Sequence, residues 1–146
     1  MSRRRYPLLV FAMFMALTTG LRADGVLADV VVVVSARSPV TALSPYQVAD
    51  IFLGKSTRFP EGQQAVPIDQ SEDAAARRRF YEAFANMSAA QVRARWSKII
   101  FTGRGRPPLE LANGAEVKKF LRENPNAIGY MDESLVDDSV KVLLKE

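Results

Sequence analysis

The stretch LSPYQVADIFLGK, residues Leu43–Lys55, spells a complete short helix and is the clearest local signal in this chain. Ser44 is a favourable N-cap residue, and Pro45 suits the first helical position because its missing N–H would be unpaired there in any case. Gln47 lies three residues after Ser44, so its side chain can return to the cap and close a capping box. The sequence therefore predicts that a helix begins directly after Ser44.

The same stretch also predicts one buried face and a defined end. Val48, Ile51 and Phe52 follow one another at helical spacing, which places them on a single side of the helix. Gly54 supplies the left-handed residue that commonly ends a helix, and Lys55 lies near the negative end of the helix dipole. We therefore expect an amphipathic helix that packs against a larger core.

Residues 1–28 have the pattern of a signal peptide. Basic residues at Arg3–Arg5 precede an apolar run, Pro7–Leu17, and small residues before Ala28 fit signal peptidase. Cleavage after Ala23 is a weaker competing site. An uncleaved anchor is the alternative, but the run has 11 residues where a spanning helix needs about 20. We predict cleavage after Ala28 and a periplasmic protein that does not stay inserted in the membrane.

Composition restricts the function of the remaining residues 29–146, which have the size of one domain. They carry 16 basic and 15 acidic side chains, so the basic character of the whole chain comes mainly from the leader, and charge does not favour a nucleic-acid partner. The chain has no histidine and no cysteine, and so lacks the usual catalytic bases, nucleophiles and soft metal ligands. We predict no enzymatic activity, no cofactor and no metal; a hydrolase is the least favoured alternative.

Strands and helices alternate along residues 29–146. Five consecutive valines favour a strand at Asp29–Ser35 that is buried on both faces. Further strands are predicted at Ala65–Asp69, Ala127–Met131 and Ser139–Leu144, and further helices begin near Ser71, after Ser88 and after Asn113. This order predicts one α/β domain with a mixed, mostly parallel sheet of about four strands covered by helices.

Three pieces of the chain together resemble a known family. The helix at Leu43–Lys55, the segment from Ile68 to Phe80 and the stretch Pro125–Tyr130 are similar to the phosphate-binding periplasmic proteins of ABC transporters. Trp96 and the segment Phe101–Gly105 resemble a short, single-lobe branch of that superfamily. The resemblance implies one lobe of a type II periplasmic-binding fold. It also implies a small oxyanion as ligand and an ABC permease as partner; a membrane-bound signalling protein is the partner expected if the chain is an interaction module instead.

The resemblance also locates where an anion would bind. In the long relatives, an Arg and a Ser-Gly-Thr at a helix start grip phosphate with hydroxyl and backbone N–H groups. Those positions fall here on Asp69-Gln70 and on Ala74–Ala76, and alanine cannot donate a side-chain hydrogen bond. Carboxylates at Asp69, Glu72 and Asp73 are expected to satisfy the helix dipole themselves and to repel phosphate. The sequence thus predicts weak or absent binding of free phosphate.

Other residues are candidates for binding an anion. Ser35 and Arg37 end the valine strand, where open α/β sheets often place ligands, and Ser71 follows the next strand. Arg104, Gly105 and Arg106 belong to a Gly-rich loop whose N–H and guanidinium groups can chelate oxyanions; a solvated connector is the alternative explanation.

Three consecutive arginines, Arg77–Arg79, form the other conspicuous charge cluster. Asp73 lies four residues before Arg77 and Glu82 four after Arg78, so ion pairs along the helix are available to both. The pattern predicts a solvated helix face.

These observations predict an exported solute-binding-like protein related to phosphate-binding proteins. The alternative is a periplasmic interaction or sensory module that serves a membrane protein.

Overall fold

The computed structural model describes residues 27–146, so nearly all of the predicted leader lies outside the described residues. Its elements follow in the order β1 (Val30–Ser35), α1 (Pro45–Phe52), β2 (Val66–Gln70), α2 (Ala75–Ala85), α3 (Ala89–Phe101), β3 (Leu109–Leu111), α4 (Gly114–Glu123), β4 (Ala127–Asp132), a 3-10 turn (Glu133–Leu135) and β5 (Val140–Lys145). This is the predicted α/β class.

The five strands form one sheet in the order β3-β2-β4-β1-β5. Strand β2 pairs in parallel with both β3 and β4, whereas β1 is antiparallel to its neighbours β4 and β5. Four strands therefore run in one direction and β1 alone runs in the other. The carboxyl ends of β2, β3 and β4 meet at one edge of the sheet, which also holds the amino end of β1.

Helices cover both faces of the sheet, as the buried valine strand requires. All six residues of β1 are buried. Val32 and Tyr130 belong to the larger core, on the face covered by α1, α2 and α3, and Val31 and Val33 to the smaller core, where α4 packs. The prediction that β1 is buried on both faces is confirmed.

Three of the four predicted helix starts are confirmed in detail. Ser44 and Ser88 each accept a hydrogen bond from the N–H of the glutamine three residues later, and each glutamine side chain accepts from the cap N–H, so both capping boxes are formed. The Asn113 side chain likewise accepts from the N–H of Glu116. At the end of α1, Gly54 adopts a φ of +73°, the left-handed conformation that the sequence predicts.

The structure differs from the prediction at two places. It contains one strand more than expected, because Leu109–Leu111 extends beside β2 at the edge of the sheet. Three residues after two prolines are too few to show a strand period in the sequence. Helix α2 also begins at Ala75 rather than near Ser71, because a turn closed by the hydrogen bond from the Ala74 N–H to the Ser71 carbonyl precedes it.

Candidate functional site

A buried carboxylate lies where β2 reaches the carboxyl edge of the sheet. Asp69 is the penultimate residue of β2 and is only 3% exposed. Its side chain contacts Tyr81 and Tyr130, which both belong to the larger core, so it lies on the face covered by α1–α3. A carboxylate at this depth requires several hydrogen-bond donors to offset its lost hydration.

Four groups donate hydrogen bonds to Asp69. Its Oδ1 accepts from the Arg77 Nε at 3.2 Å, from the backbone N–H of Gln70 at 2.9 Å and from the Tyr130 hydroxyl. Its Oδ2 accepts from the Tyr81 hydroxyl at 2.7 Å. The donors come from three elements, β2, α2 and β4, so the carboxylate ties the sheet to helix α2.

The ionisation of the surrounding groups is coupled to this carboxylate. Burial raises the pKa of Tyr81 and of Tyr130 well above the ordinary tyrosine value, and the negative charge of Asp69 raises both further. Burial alone would lower the pKa of Arg77, but the combined effects of Asp69, Tyr81 and Tyr130 outweigh burial and the pKa rises. The two phenols are therefore held as neutral donors and Arg77 as a cation.

Aromatic packing fixes the position of the Tyr130 donor. The Phe80 and Tyr130 rings stack with centroids 4.1 Å apart and planes 4° from parallel. The Phe52 ring of α1 packs edge-on against Phe80, with ring centroids 4.7 Å apart, so helix α1 contacts the aromatic pair that positions the Tyr130 hydroxyl. The Gln70 side chain also donates to the Tyr130 carbonyl at 2.9 Å.

The arginine cluster is not the solvated helix face that the sequence predicted. Arg77 is only 9% exposed and pairs with Asp69 rather than Asp73. Arg79 pairs with Glu146 at 2.7 Å and joins α2 to the end of the chain. The prediction of a solvated face was wrong for these two arginines, because Arg77 has a tertiary partner in place of the predicted Asp73 and Arg79 pairs with a residue outside the helix.

An open cleft of about 310 Å³ borders the buried carboxylate. We call it the Asp69 cleft. Its charged residues are three carboxylates and two guanidinium groups; apolar walls come from Trp96, Ile100 and two prolines of the following loop. The charged lining is Asp69, Glu72, Glu110, Arg77 and Arg93. The lining therefore carries one net negative charge.

The start of α2 differs from the expected anion cradle. Ala74 occupies the N-cap position, and no side chain caps the helix. Glu72 does not satisfy the helix start as predicted; it pairs with Arg93 at 2.6 Å. The Ser71 hydroxyl donates to the Ala112 carbonyl at 2.7 Å, and its N–H donates to the Leu111 carbonyl. Ser71 thus joins β2 to the segment after β3.

Ser35 and Arg37 lie at the other edge of the sheet. Because β1 is antiparallel to β4, its carboxyl end meets the amino ends of β2 and β4, and the premise that placed a ligand there does not hold. Ser35 is buried and its hydroxyl accepts from the Arg37 N–H, while the Arg37 guanidinium donates to the Arg122 carbonyl at 2.6 Å. The structure does not bring these two residues together with Ser71.

The Gly-rich loop ends helix α3. The N–H groups of Gly103 and Arg104 donate to the carbonyls of Ile100 and Ile99, so they point back at the helix. Arg104 lines a second cleft of about 280 Å³ with Arg95, Lys98, Ile99 and Thr102, which we call the basic cleft. Gly105 and Arg106 do not line it. Of the loop candidates, Arg104 shares the basic cleft with two other cations, Arg95 and Lys98.

Sequence reasoning missed Arg77, Tyr81 and Tyr130 as partners of Asp69. One available signal was spacing, because Arg77 lies three residues before Phe80 and so falls on the apolar side of α2. A charged residue in that position requires a buried partner.

Residues 27–146 hold neither a candidate metal cluster nor a helix that could span a membrane. They contain no group of three or more acidic, histidine or cysteine side chains that could hold a metal ion. Within the same range, every helix is too short or too polar to cross a membrane.

Comparison with solved structures identifies the fold as that of one lobe of a periplasmic binding protein. The chain is similar to a Clostridium perfringens protein assigned as a phosphate ABC transporter substrate-binding protein and solved with bound phosphate, with a TM-score of 0.65 and 24% identity. It is also similar to an ABC-type phosphate transport receptor from Vibrio cholerae, with a TM-score of 0.63 and 22% identity. Both matches cover 80% of this chain.

The chain spans less than half the length of either protein, 44% and 47% respectively. No family model matches it, and no curated protein matches it in sequence. The predicted single-lobe form of the fold is confirmed, and the similar proteins are binding proteins and receptors.

Proposed function

We propose that the protein is an exported, non-enzymatic, solute-binding-like domain of the periplasm that does not take free phosphate at the start of α2. The fold and the leader-like sequence of residues 1–28 support this proposal. One observation carries the statement about phosphate: Asp69 already engages the buried cation and hydroxyl donors at that edge of the sheet.

Charge and hydrogen-bonding capacity both act against phosphate at this place. The Asp69 cleft has one net negative charge in its lining, and phosphate carries one to two negative charges near neutral pH. Electrostatic repulsion between the cleft lining and phosphate raises the free energy of the bound state. The residues Ala74–Ala76 offer no side-chain donors that would offset it.

Calorimetric titration of phosphate into the purified protein tests this proposal. We expect no saturable heat at phosphate concentrations up to about a hundredfold above a low-micromolar Kd. A low-micromolar Kd that an Arg104→Gln variant retains would refute it. An Arg104→Gln variant then assigns any binding that does occur, because loss of the heat would place the ion in the basic cleft instead.

A second candidate function is an interaction module, and exposed apolar side chains favour it. Phe101 is 92% exposed and Ile100 is 55% exposed at the end of α3, and Leu109 is 47% exposed at the unpaired edge of the sheet. Ile100 lines the Asp69 cleft with the two prolines that precede Leu109, and Phe101 follows Ile100 at the end of α3. Adjacent exposed apolar residues are typical of protein-binding surfaces.

Capture from membrane extracts, with and without phosphate, distinguishes the two functions. If the protein is an interaction module, replacing Phe101 by serine should abolish capture of the partner, and added phosphate should not change the amount captured. Tyr46→Ser is the matched control, because Tyr46 is 83% exposed but lies on α1 beside a different cleft. Equal capture by both variants would contradict an interaction surface at Phe101.

A further inference from the structure

The buried network around Asp69 has the composition of an anion-binding site. Two phenol hydroxyls, one guanidinium and one backbone N–H point at the two oxygens of a single carboxylate. All four are donors and none is an acceptor in these bonds. We infer that they form a binding site for a small carboxylate, which the covalently attached Asp69 side chain fills in the unmodified protein. The inference rests on the proposed function and explains it, because Asp69 occupies the donors that an anion from solution would need.

The donors are held in place by contacts that do not involve Asp69. Tyr130 is stacked on Phe80 and lies in the centre of the sheet, and Gln70 holds the same strand through the Tyr130 carbonyl. Arg77 and Tyr81 lie one helical turn apart on α2, with the guanidinium carbon 5.3 Å from the centre of the Tyr81 ring. Removing the carboxylate should therefore leave oriented donors rather than a collapsed site.

The vacated site would attract an anion. Without Asp69, the mostly buried Arg77 lacks its only ion-pair partner among the described residues, and an unpaired buried cation is strongly unfavourable. A small ion can enter from solvent, because Asp69 and Arg77 both line the open cleft.

The size of the vacancy defines which carboxylate fits. Asp69→Ala removes the carboxylate but keeps the β carbon, which leaves room for formate. Asp69→Gly also removes the β carbon, so the methyl group of acetate can take its place. The inference therefore predicts that formate binds to both variants and that acetate binds to the glycine variant only.

Thermal unfolding with added sodium formate or acetate is the experiment, using protein purified after expression of the full chain. For a Kd of about 5 mM, formate at about 50 mM should raise the midpoint of Asp69→Ala by about 5 °C, with a saturable dose dependence. Unmodified protein and the double variant Asp69→Ala/Arg77→Met should show only the small, non-saturating effect of salt. The double variant is the matched control because it lacks both the carboxylate and the cation.

Three outcomes would overturn the inference: no formate effect on Asp69→Ala, an equal effect on the double variant, or acetate stabilising the alanine variant as well as formate does. If a variant does not fold without an anion, refolding yield becomes the measurement. Recovery of Asp69→Ala by formate and of Asp69→Gly by acetate supports the site, and failure of both refutes it. Tight phosphate binding to the unmodified protein that Arg104→Gln does not abolish would refute the proposed function and would leave the formate and acetate results unaffected.

Discussion

Replacing Gly54 by alanine tests how the end of helix α1 is fixed. Gly54 has a φ of +73°, a conformation that residues with a β carbon rarely adopt. A β carbon built at this position would lie 2.6 Å from Cη2 and 3.3 Å from Cζ3 of Trp96. The tryptophan is 7% exposed in the larger core and cannot swing into solvent without opening that core.

Two separate penalties make up the expected loss of stability. The left-handed backbone costs a non-glycine residue about 1–2 kcal/mol. The clash with a buried ring adds about 1–3 kcal/mol, which is typical of overpacked cores. We therefore expect Gly54→Ala to lower the free energy of unfolding by about 3 kcal/mol.

Gly103→Ala is the matched control for backbone strain. Gly103 has nearly the same φ, +67°, but a β carbon there meets nothing within 4 Å. It should cost only about 1 kcal/mol. A Trp96→Phe background should reduce the penalty of Gly54→Ala to a similar value, because phenylalanine lacks the outer atoms of the indole that make the contact.

Urea unfolding at constant temperature measures all four variants, and an unchanged m-value shows that the unfolded states are comparable. The coupling between Gly54→Ala and Trp96→Phe should be about 2 kcal/mol. Equal losses for Gly54→Ala and Gly103→Ala, or a coupling near zero, would refute the argument that Trp96 packs against the glycine.

Two further predictions concern ionisation. Because burial and the charge of Asp69 raise the pKa of Tyr81 and Tyr130, their contribution to stability is complete below about pH 10, the ordinary tyrosine pKa, and is lost as the pH rises further. In an alkaline titration, the tyrosinate absorbance of Tyr81 and Tyr130 should appear only at the pH at which the far-UV circular dichroism of the folded protein is lost. If both tyrosines ionise while the far-UV signal is unchanged, the prediction is wrong. Hydrogen bonds from Ser139, and next from Lys118, lower the pKa of Asp137, so Ser139→Ala and Lys118→Met should each raise that pKa in a carboxyl NMR titration, and an unchanged pKa in either variant would contradict this.

Local signals predicted the elements of the fold well because each is complete within a few residues. Both capping boxes, the Asn113 cap and the left-handed Gly54 are found where the sequence placed them. The valine strand is also buried on both faces, as its lack of alternation indicated. In each case the physical cause is short-range, either a side chain that bonds to its own backbone or a run of stiff apolar residues.

The direction of a strand within the sheet depends on distant pairing, and this limited the prediction of the site. The sequence showed that β1 is buried but not that it is antiparallel to β4. The side on which Ser35 and Arg37 lie therefore could not be known. Pairing also decided the role of Arg77, since its partner Asp69 is eight residues away and belongs to a strand rather than to the same helix.

The buried charge of Arg77 gives a physical explanation for the buried carboxylate of Asp69. Arg77 is 9% exposed within one lobe, so its charge has to be compensated whether or not a solute is present. A free ion would compensate it only while bound, whereas the attached carboxylate of Asp69 does so permanently and brings Tyr81 and Tyr130 into the same network. A stable fold and donors that are free to bind an ion are therefore competing requirements at this position, and the Asp69 network satisfies the first.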